Sequence, residues 1–386
     1  MKALTAYTYE IDDVEAAVSE IVDQLQLGEN LCGNSVGIIS CYSEFIESGV
    51  VKAISEALPF DVVGCTTMMS GACGEVGFTM LTITVLTGDD VKFSSALSDD
   101  LSDEQEITLK SSYEQALENL DGEPKMIMAY CPLISHVGGE RIVDMLDKAC
   151  GGIPPMFGMI AFDHTEDYRY AHVIYNGEGY RTQLAMILIS GNIEPTFIVK
   201  SIPEENEFKQ KAIVTQSEGN ILSSVNNMPF LDYLGTLGLI AGDESLDAVN
   251  TIPLMVNYND GTVPVARVMH VIDENGNAVC GGRMPVGSTI SVSSLLAEDV
   301  IAAARELVDE INSLGKHNVI FTYPCISRLL VLGLDSEAEM NFIRSSFAGN
   351  TPYVMAYAGG ELCPTFDDYG KIVNRLHNFT MIACLL

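Results

Sequence analysis

Apolar runs along the chain alternate with stretches of helical period, and the order repeats. VGIISC ends at Cys41, EFIESGVVKAISEAL follows, and FDVVGC ends at Cys65. The order returns as MIMAYC ending at Cys131, then GGERIVDMLDKA, then PMFGM with Gly158 at the place of Gly64. A weaker third copy reads NVIFTYPC ending at Cys325, then SEAEMNFIRSSF, then PYVMAYAGGE. Short apolar runs bounded by turn residues predict buried strands, and the periodic stretches between them predict helices. Self-similarity on this scale predicts one strand–helix–strand unit used more than once.

The segments between the copies add detail. Val14, Val18, Ile21, Val22 and Leu25 recur at helical spacing, so residues 1–30 carry a helix pattern, with Asp12 and Asp13 suited to its start. GFTMLTITVLTG (77–88) alternates as a half-buried strand does. Residues 98–123 are dense in acidic groups and predict an exposed helix with a solvated face. YAHVIYNGEGYRTQLAMILISG predicts a hairpin around Asn176-Gly177-Glu178-Gly179. The polar connector IPEENEFKQK (202–211) marks a boundary between a domain at 1–211, with repeats near 30–90 and 125–191, and a domain at 212–386. In the second domain, 212–225 reads as strand, turn and strand, and 229–239 as a short helix. Turn chemistry at Asp260-Gly261, Asn275-Gly276 and Gly281-Gly282 predicts a β-meander. Residues 297–314 form the clearest amphipathic helix, with Gly315 placed as its C-terminal stop. HNFTMIACLL closes on a strand. The expected fold is α/β to α+β: layered mixed β-sheets with flanking helices, in two domains.

Composition narrows the function. Of 386 residues, 53 are acidic and 20 basic, for a net charge of −33. That argues against nucleic acid and anionic membranes as partners, since both require Lys/Arg surfaces. It suits solubility in a crowded cytosol. No apolar leader opens the chain and no run is long enough to span a bilayer, so a cytoplasmic location is expected. The ten cysteines have no C-x-x-C spacing and sit mostly inside apolar runs, as in a reducing compartment. Phosphate-loop, nucleophile-elbow and H-E-x-x-H motifs are absent, and the six histidines lack metal-ligand spacing. GGRMPVG (281–287) reads as turns. No catalytic constellation, metal site or cofactor is expected, and the chain is not read as an enzyme.

Four places could carry binding chemistry. Gly64-Cys65-Thr66-Thr67 follows a buried strand, where backbone N–H groups and two hydroxyls suit a small polar group, or simply a capped turn. Cys325-Ile326-Ser327-Arg328 also follows a buried strand. Arginine is scarce, nine in the chain, and Arg328 is placed either for bidentate carboxylate recognition or for a neighbouring acid. The apolar setting of Cys325 raises its pKa and weakens it as a nucleophile. Gly359-Gly360-Glu361 combines close backbone approach with an acceptor for an ammonium group or for Arg328. Asn378, beside His377, either caps a turn or contacts ligand.

At these residues the chain resembles the FIST family, a bacterial sensory module with N- and C-terminal parts that also occurs in some F-box proteins. VVGCTTMMSGACGE (62–75) resembles the family's Gly-Cys-Ser/Thr-Thr segment, and PMFGMIAFDH (155–164) the second glycine segment ending in an acid, here Asp163. Residues 212–235 resemble the junction of the two parts, and FTYPCISR (321–328) the Cys-x-x-Arg segment. YAGGELCP (357–364) and HNFT (377–380) resemble the Gly-Glu and Asn-x-Thr segments. Met68, Met69, Met159 and Ile160 stand where small residues are usual, making the first-domain site greasier. The resemblance implies a sensor for amino acids or similar small carboxylates that reports to a separate output protein. It also leaves open haem-based gas sensing, with His377 as axial candidate, and protein recognition as an adaptor, for which the acidic surface suits a basic partner.

Overall fold

The computed structural model describes residues 1–386 apart from 104–105, 135, 166, 241–248 and 348–350. The chain runs through three like units. Unit 1 comprises β1 (Lys2–Thr8), α1 (Val14–Leu25), α2 (Leu27–Asn30), β2 (Asn34–Cys41), α3 (Glu44–Glu47), α4 (Val50–Ala57), β3 (Val62–Thr66), the hairpin β4 (Ser70–Ala72) and β5 (Glu75–Gly77), and β6 (Leu81–Gly88). Unit 2 comprises β7 (Val91–Leu97), α5 (Glu106–Glu118), β8 (Pro124–Cys131), α6 (Gly139–Ala149), β9 (Met156–Ile160), the hairpin β10 (Val173–Tyr175) and β11 (Glu178–Tyr180), and β12 (Ala185–Gly191).

Unit 3 opens with β13 (Thr196–Lys200) and carries an inserted β-rich region. The insert holds β14 (Glu207–Glu218), β15 (Ile221–Val225), β16 (Met228–Pro229), α7 (Phe230–Thr236), β17 (Leu254–Asn257), β18 (Val265–Arg267), β19 (Met269–Ile272), β20 (Ala278–Cys280) and β21 (Thr289–Ser293). The unit resumes with α8 (Ala297–Ser313), β22 (Ile320–Pro324), α9 (Ile326–Leu332), α10 (Ala338–Phe347), β23 (Tyr353–Ala356), the hairpin β24 (Glu361–Phe366) and β25 (Ile372–His377), and β26 (Met381–Leu385).

Each unit builds a mixed six-stranded sheet and lends its hairpin to a neighbour. Sheet 1 runs β1-β6-β2-β3-β10-β11, sheet 2 runs β7-β12-β8-β9-β24-β25, and sheet 3 runs β13-β26-β22-β23-β4-β5. Unit 2 thus completes sheet 1, unit 3 completes sheet 2, and unit 1 completes sheet 3, closing a ring. Within each unit, the two strands flanking the unit's helix are parallel. The hairpin of unit 2 turns at Asn176 and Gly177, both at positive φ (48° and 89°), which matches the twist of the strands it joins.

The three sheets share one core. Val63 and Cys65, Phe157 and Met159, and Val354 and Ala356 all point into it, so the ring is a three-sided prism packed along a pseudo-threefold axis. Strand alternation sends the intervening residues outward, onto helices. Ile39 and Val62 meet α1, α3 and α4, Ile127 and Met156 meet α5 and α6, and Ile320 and Met355 meet α8, α9 and α10. In α8, Val300, Ala304, Leu307 and Ile311 face inward at helical spacing. The insert has its own core around Val214, Phe230, Val256 and Ile290. No helix among the described residues is long and apolar enough to cross a membrane.

Mixed sheets layered with helices agree with the expected fold class, and four local expectations are corrected. Residues 2–8, read within a helix pattern, form β1, an edge strand paired with β6. The alternating segment at 77–88 is not half-buried: β6 is buried throughout, because a polar-looking face turns into the shared core. The boundary expected at 211/212 falls inside β14. In the third copy Pro324, not Cys325, takes the place of Cys41 and Cys131. Thr67, Ala161 and Ala358 donate their N–H to the carbonyls of Cys41, Cys131 and Pro324 at 2.9, 2.9 and 2.8 Å. The acidic segment at 98–123 forms α5 over 106–118, and its residues 104–105 lie outside the described residues.

Candidate functional site

The parallel strand pairs of all three units end at the same end of the prism, where their ends are stitched together. The N–H groups of Thr66, Ile160 and Tyr357 donate to the carbonyls of His172, Gly360 and Met69 at 2.9, 2.9 and 3.1 Å. These three bonds are equivalent under the pseudo-threefold. They make Val173, Glu361 and Ser70 equivalent too, opposite Cys65, Met159 and Ala356 on the adjacent strands. Two of the three equivalent positions are polar, and one is an acid.

Glu361 is fully buried. Its Oε2 accepts from the Thr380 hydroxyl at 2.8 Å, while Oε1 has no hydrogen-bond partner. Burial pushes the carboxyl up to about 8, against the pull of the Thr380 hydroxyl and N–H, the adjoining Cys325 thiol and the Arg328 charge. A carboxyl in this state is neutral at pH 7 and ionises when a cation is brought to it. Cys325, at the start of α9, is its neighbour. Burial pushes that thiol up as well, and the Glu361 charge adds to the effect, so the thiolate needed of a nucleophile is disfavoured.

Arg328 does not face this acid as a ligand donor. Its Nε and Nη2 donate to Glu339 Oε1 at 3.0 and 2.5 Å, Nη2 also to the Val300 carbonyl at 2.8 Å, and Nη1 to the Phe379 carbonyl at 3.2 Å. Tyr357 donates to the other Glu339 oxygen at 2.8 Å. The guanidinium is spent inside the protein, which corrects its expected role as a carboxylate reader.

The remaining expected residues divide in the same way. Gly64 packs its Cα against the Ile39 carbonyl, and Cys65 lies in the axial core. Thr66 bonds His172, accepting from its N–H at 2.9 Å. Thr67 donates to the Tyr357 carbonyl at 2.7 Å, tying unit 1 to unit 3. Asp163 is buried and accepts from the Thr165 N–H and hydroxyl and the Tyr170 N–H at 2.5, 2.6 and 2.5 Å, so it caps a loop. His377 has Nε2 on the Cys363 carbonyl at 3.0 Å, and burial lowers its pKa to about 3. The ring is 2% exposed and held on the Cys363 carbonyl inside the protein, with no open side to present to a haem iron, so the residues here do not fit axial haem ligation. The structure does bring Gly360, Glu361, Cys325 and Asn378 into one neighbourhood. Asn378 Oδ1 accepts from the Val268 N–H at 3.4 Å, reaching the insert, where Gly281 leaves room for it: a Cβ there would lie 2.5 Å from Oδ1.

Sequence reading passed over the seam beside these residues. Glu140, at the start of α6, is 3% exposed and accepts from Arg267 Nη2 at 2.9 Å, from the Tyr258 hydroxyl at 3.2 Å and from the Arg283 N–H. Arg267, fully buried, also donates to the Leu376 carbonyl at 2.8 Å. Arg375 stacks on the Tyr258 ring at 4.6 Å and pairs with Asp260. Three of the chain's nine arginines therefore gather where the insert meets α6 and β25. The scarcity of arginine is the available signal, and it points to Arg267 and Arg375 as much as to Arg328.

The FIST N domain profile matches residues 35–228, and the FIST C domain profile matches residues 230–364. No curated protein matches the chain. Among solved structures, cyanuric acid hydrolase from A. caulinodans aligns over 100% of this chain and 98% of its own at 10% identity, with a TM-score of 0.36, too distant a likeness to transfer fold or chemistry. The two profiles adjoin and cover most of the sequence, through the strand ends where Glu361 sits, and the chain belongs to the FIST family of sensory domains.

Proposed function

We propose that the protein is a small-ligand sensory module in which Glu361 receives the amine end of an amino acid or similar small molecule. One observation carries this: a fully buried carboxyl with one oxygen unpartnered, at the end of the prism where three strand pairs terminate. Buried polar atoms are nearly always paired, so an unpaired one at a strand end calls for a missing partner. Because the free carboxyl holds its proton to about pH 8, a cationic ligand must displace that proton. Binding should release close to one proton at pH 7, readable by calorimetry in buffers of different ionisation enthalpy. Thermal unfolding against a panel of amino acids and amines identifies the class: a ligand at a hundred times its Kd adds about 2.7 kcal/mol. A shift retained in Glu361→Gln, or none across the panel, would overturn the assignment.

The insert is the natural route for a signal, since Arg267 bonds the Leu376 carbonyl of β25 and Val268 bonds Asn378 just after it, and β25 pairs with the strand β24 that carries Glu361. The output is a separate protein. An apolar groove of about 470 Å³ between α1 and α4, lined by Val14, Val18, Val22 and Ala53 and edged by Glu15, Asp23 and Glu56, supports docking of a basic amphipathic segment there. Val18→Glu should abolish capture of the native partner while leaving ligand shifts intact; capture unchanged by it moves the partner elsewhere.

A further inference from the structure

We infer that units 1 and 3 carry a matched pair of docking grooves, each taking one basic amphipathic helix, so that the output protein is held at two helical segments rather than one. This rests on the reading of the α1/α4 groove given above and extends it to unit 3, on residues that no sequence motif singles out.

The three units compare position by position. Each packs the helix before its parallel strands against the helix between them: α1 on α4, α5 on α6 and α8 on α10. From α1, the groove of unit 1 is lined by Val14, Glu15, Val18, Ser19 and Val22, with Asp23 at its end. Unit 3 has a groove of about 430 Å³, lined from α8 by Ala297, Glu298, Ile301, Ala302 and Arg305. Counted from the first residue of each helix, both sets take the first, second, fifth, sixth and ninth positions. The second position is glutamate in both. The opposite wall supplies one alanine and one acid in each groove, Ala53 and Glu56 in unit 1, Ala338 and Asp335 in unit 3. At the ninth position Arg305 replaces Val22, and its guanidinium is drawn over the Phe342 ring of α10 at 5.5 Å.

Unit 2 is built otherwise. The first, fifth and ninth positions of α5 are Glu106, Lys110 and Glu114. Glu106 pairs with Lys148 and Arg141 of α6 at 2.7 and 3.3 Å, and Lys110 pairs with Glu114 at 3.7 Å. Ion pairs thus occupy the face that is apolar at its first and fifth positions in units 1 and 3. Spacing and charge then select the occupant. Apolar residues one turn apart, facing a second helix, leave a furrow that a third helix fits. The acids at the rims, Glu15, Asp23 and Glu56 in one groove and Glu298 and Asp335 in the other, match Lys or Arg flanking the apolar stripe of that helix. A second copy of this chain is disfavoured, because it brings a net charge of −33 to rims of the same sign.

The test is calorimetric titration of the full chain with a helical Leu/Lys peptide whose leucines form one face, and with a peptide of the same composition in scrambled order. The expected result is two equivalents of the amphipathic peptide bound and none of the scrambled one. Val18→Glu and Ile301→Glu should each remove one equivalent, and the double variant should remove both. Glu298→Lys, at an exposed rim position, should weaken one of the two sites about tenfold, and it reads the unit 3 groove even where Ile301→Glu fails to fold. Binding lost in Val18→Glu but untouched by Ile301→Glu and Glu298→Lys overturns the unit 3 groove and leaves the α1/α4 reading standing. Binding altered by the unit 3 variants but untouched by Val18→Glu overturns the matched pair and the α1/α4 reading together. No binding, equal binding of the scrambled peptide, or binding undiminished in the double variant overturns both grooves, the last two as attraction to the acidic surface alone.

Discussion

Arg328 Nη2 lies 2.5 Å from Glu339 Oε1, with neither side chain exposed to solvent, and Tyr357 holds the second Glu339 oxygen at 2.8 Å. Desolvating two charges is costly, and here further hydrogen bonds from the guanidinium to the Val300 and Phe379 carbonyls offset it. The pair joins α9 to α10, α8 and the start of β26. Removing one partner strands the other. Arg328→Ala should cost about 3–5 kcal/mol in urea unfolding. Arg328→Met with Glu339→Leu should recover much of that. A single-variant loss under about 1 kcal/mol would contradict the account, since surface-like pairs are worth that little.

The contrast between Arg328 and Glu361 shows how far the sequence was legible. Both were singled out by position, just past buried strands, and both side chains are fully buried there. What failed was the partner: Glu339 lies eleven residues from Arg328 on the next helix, and its identity depends on how that helix packs. The repeated units were legible because short apolar runs and helical periods are local. The exchange of hairpins was not, because pairing β4 with β23 joins residues near 70 to residues near 355. The burial of Thr82 and Thr84 failed for a related reason. A strand alternating polar and apolar reads as half-exposed, and only the closed prism puts both of its faces under cover. Arg267 and Glu140, 127 residues apart, left no trace a local pattern could hold.

Glu361 should make stability fall with rising pH. Its folded carboxyl titrates near 8, against 4.5 when unperturbed, so between those values the folded state keeps a proton that the unfolded state has lost. Its contribution is complete below 4.5, declines through the window and is gone above 8. His377 acts in the reverse sense. Burial lowers it from 6.5 to about 3, so in that range the unfolded state binds the extra proton and stability rises with pH. The two slopes oppose each other between 4.5 and 6.5. Glu361→Gln should flatten the alkaline decline in denaturant midpoints from pH 6 to 8.5 and leave the acid limb in place. An unchanged alkaline slope would place the carboxyl in a more solvated setting.

Gly64 and Gly158 occupy equivalent positions and should be equally intolerant. A Cβ on either would overlap backbone, the Ile39 carbonyl in one case and the Ala129 carbonyl in the other. Neither backbone can yield without parting a parallel strand pair in the shared core. Alanine at either site should cost more than the 1–3 kcal/mol usual for overpacking and leave little folded protein in the soluble fraction. Gly28, with open space around it, is the control. Gly28→Ala should fold normally.

Glu140 is the buried carboxylate that ties the insert to the prism. Its carboxylate is shared by the Arg267 guanidinium, the Tyr258 hydroxyl and the Arg283 N–H, all from the insert, while Glu140 itself belongs to unit 2. Gly282 permits this approach: a Cβ there would lie 2.5 Å from Arg267 Nε and 2.6 Å from Glu140 Oε2. Glu140→Ala leaves Arg267 fully buried without its counter-charge, a loss on the order of 3–5 kcal/mol. That loss falls on the seam, where Met255, Ala266 and Val268 of the insert also pack on Val300, Leu332 and Phe379, while the prism and the insert each keep a further apolar cluster of their own. The insert should then open before the prism unfolds. Limited proteolysis should cut the Glu140→Ala protein within residues 250–290 while the three sheets stay protected in hydrogen exchange. Gly282→Ala should give the same pattern from the other side of the contact. Simultaneous loss of protection in insert and prism would show the two to be one cooperative unit, and would remove the insert as a separately moving carrier of the signal.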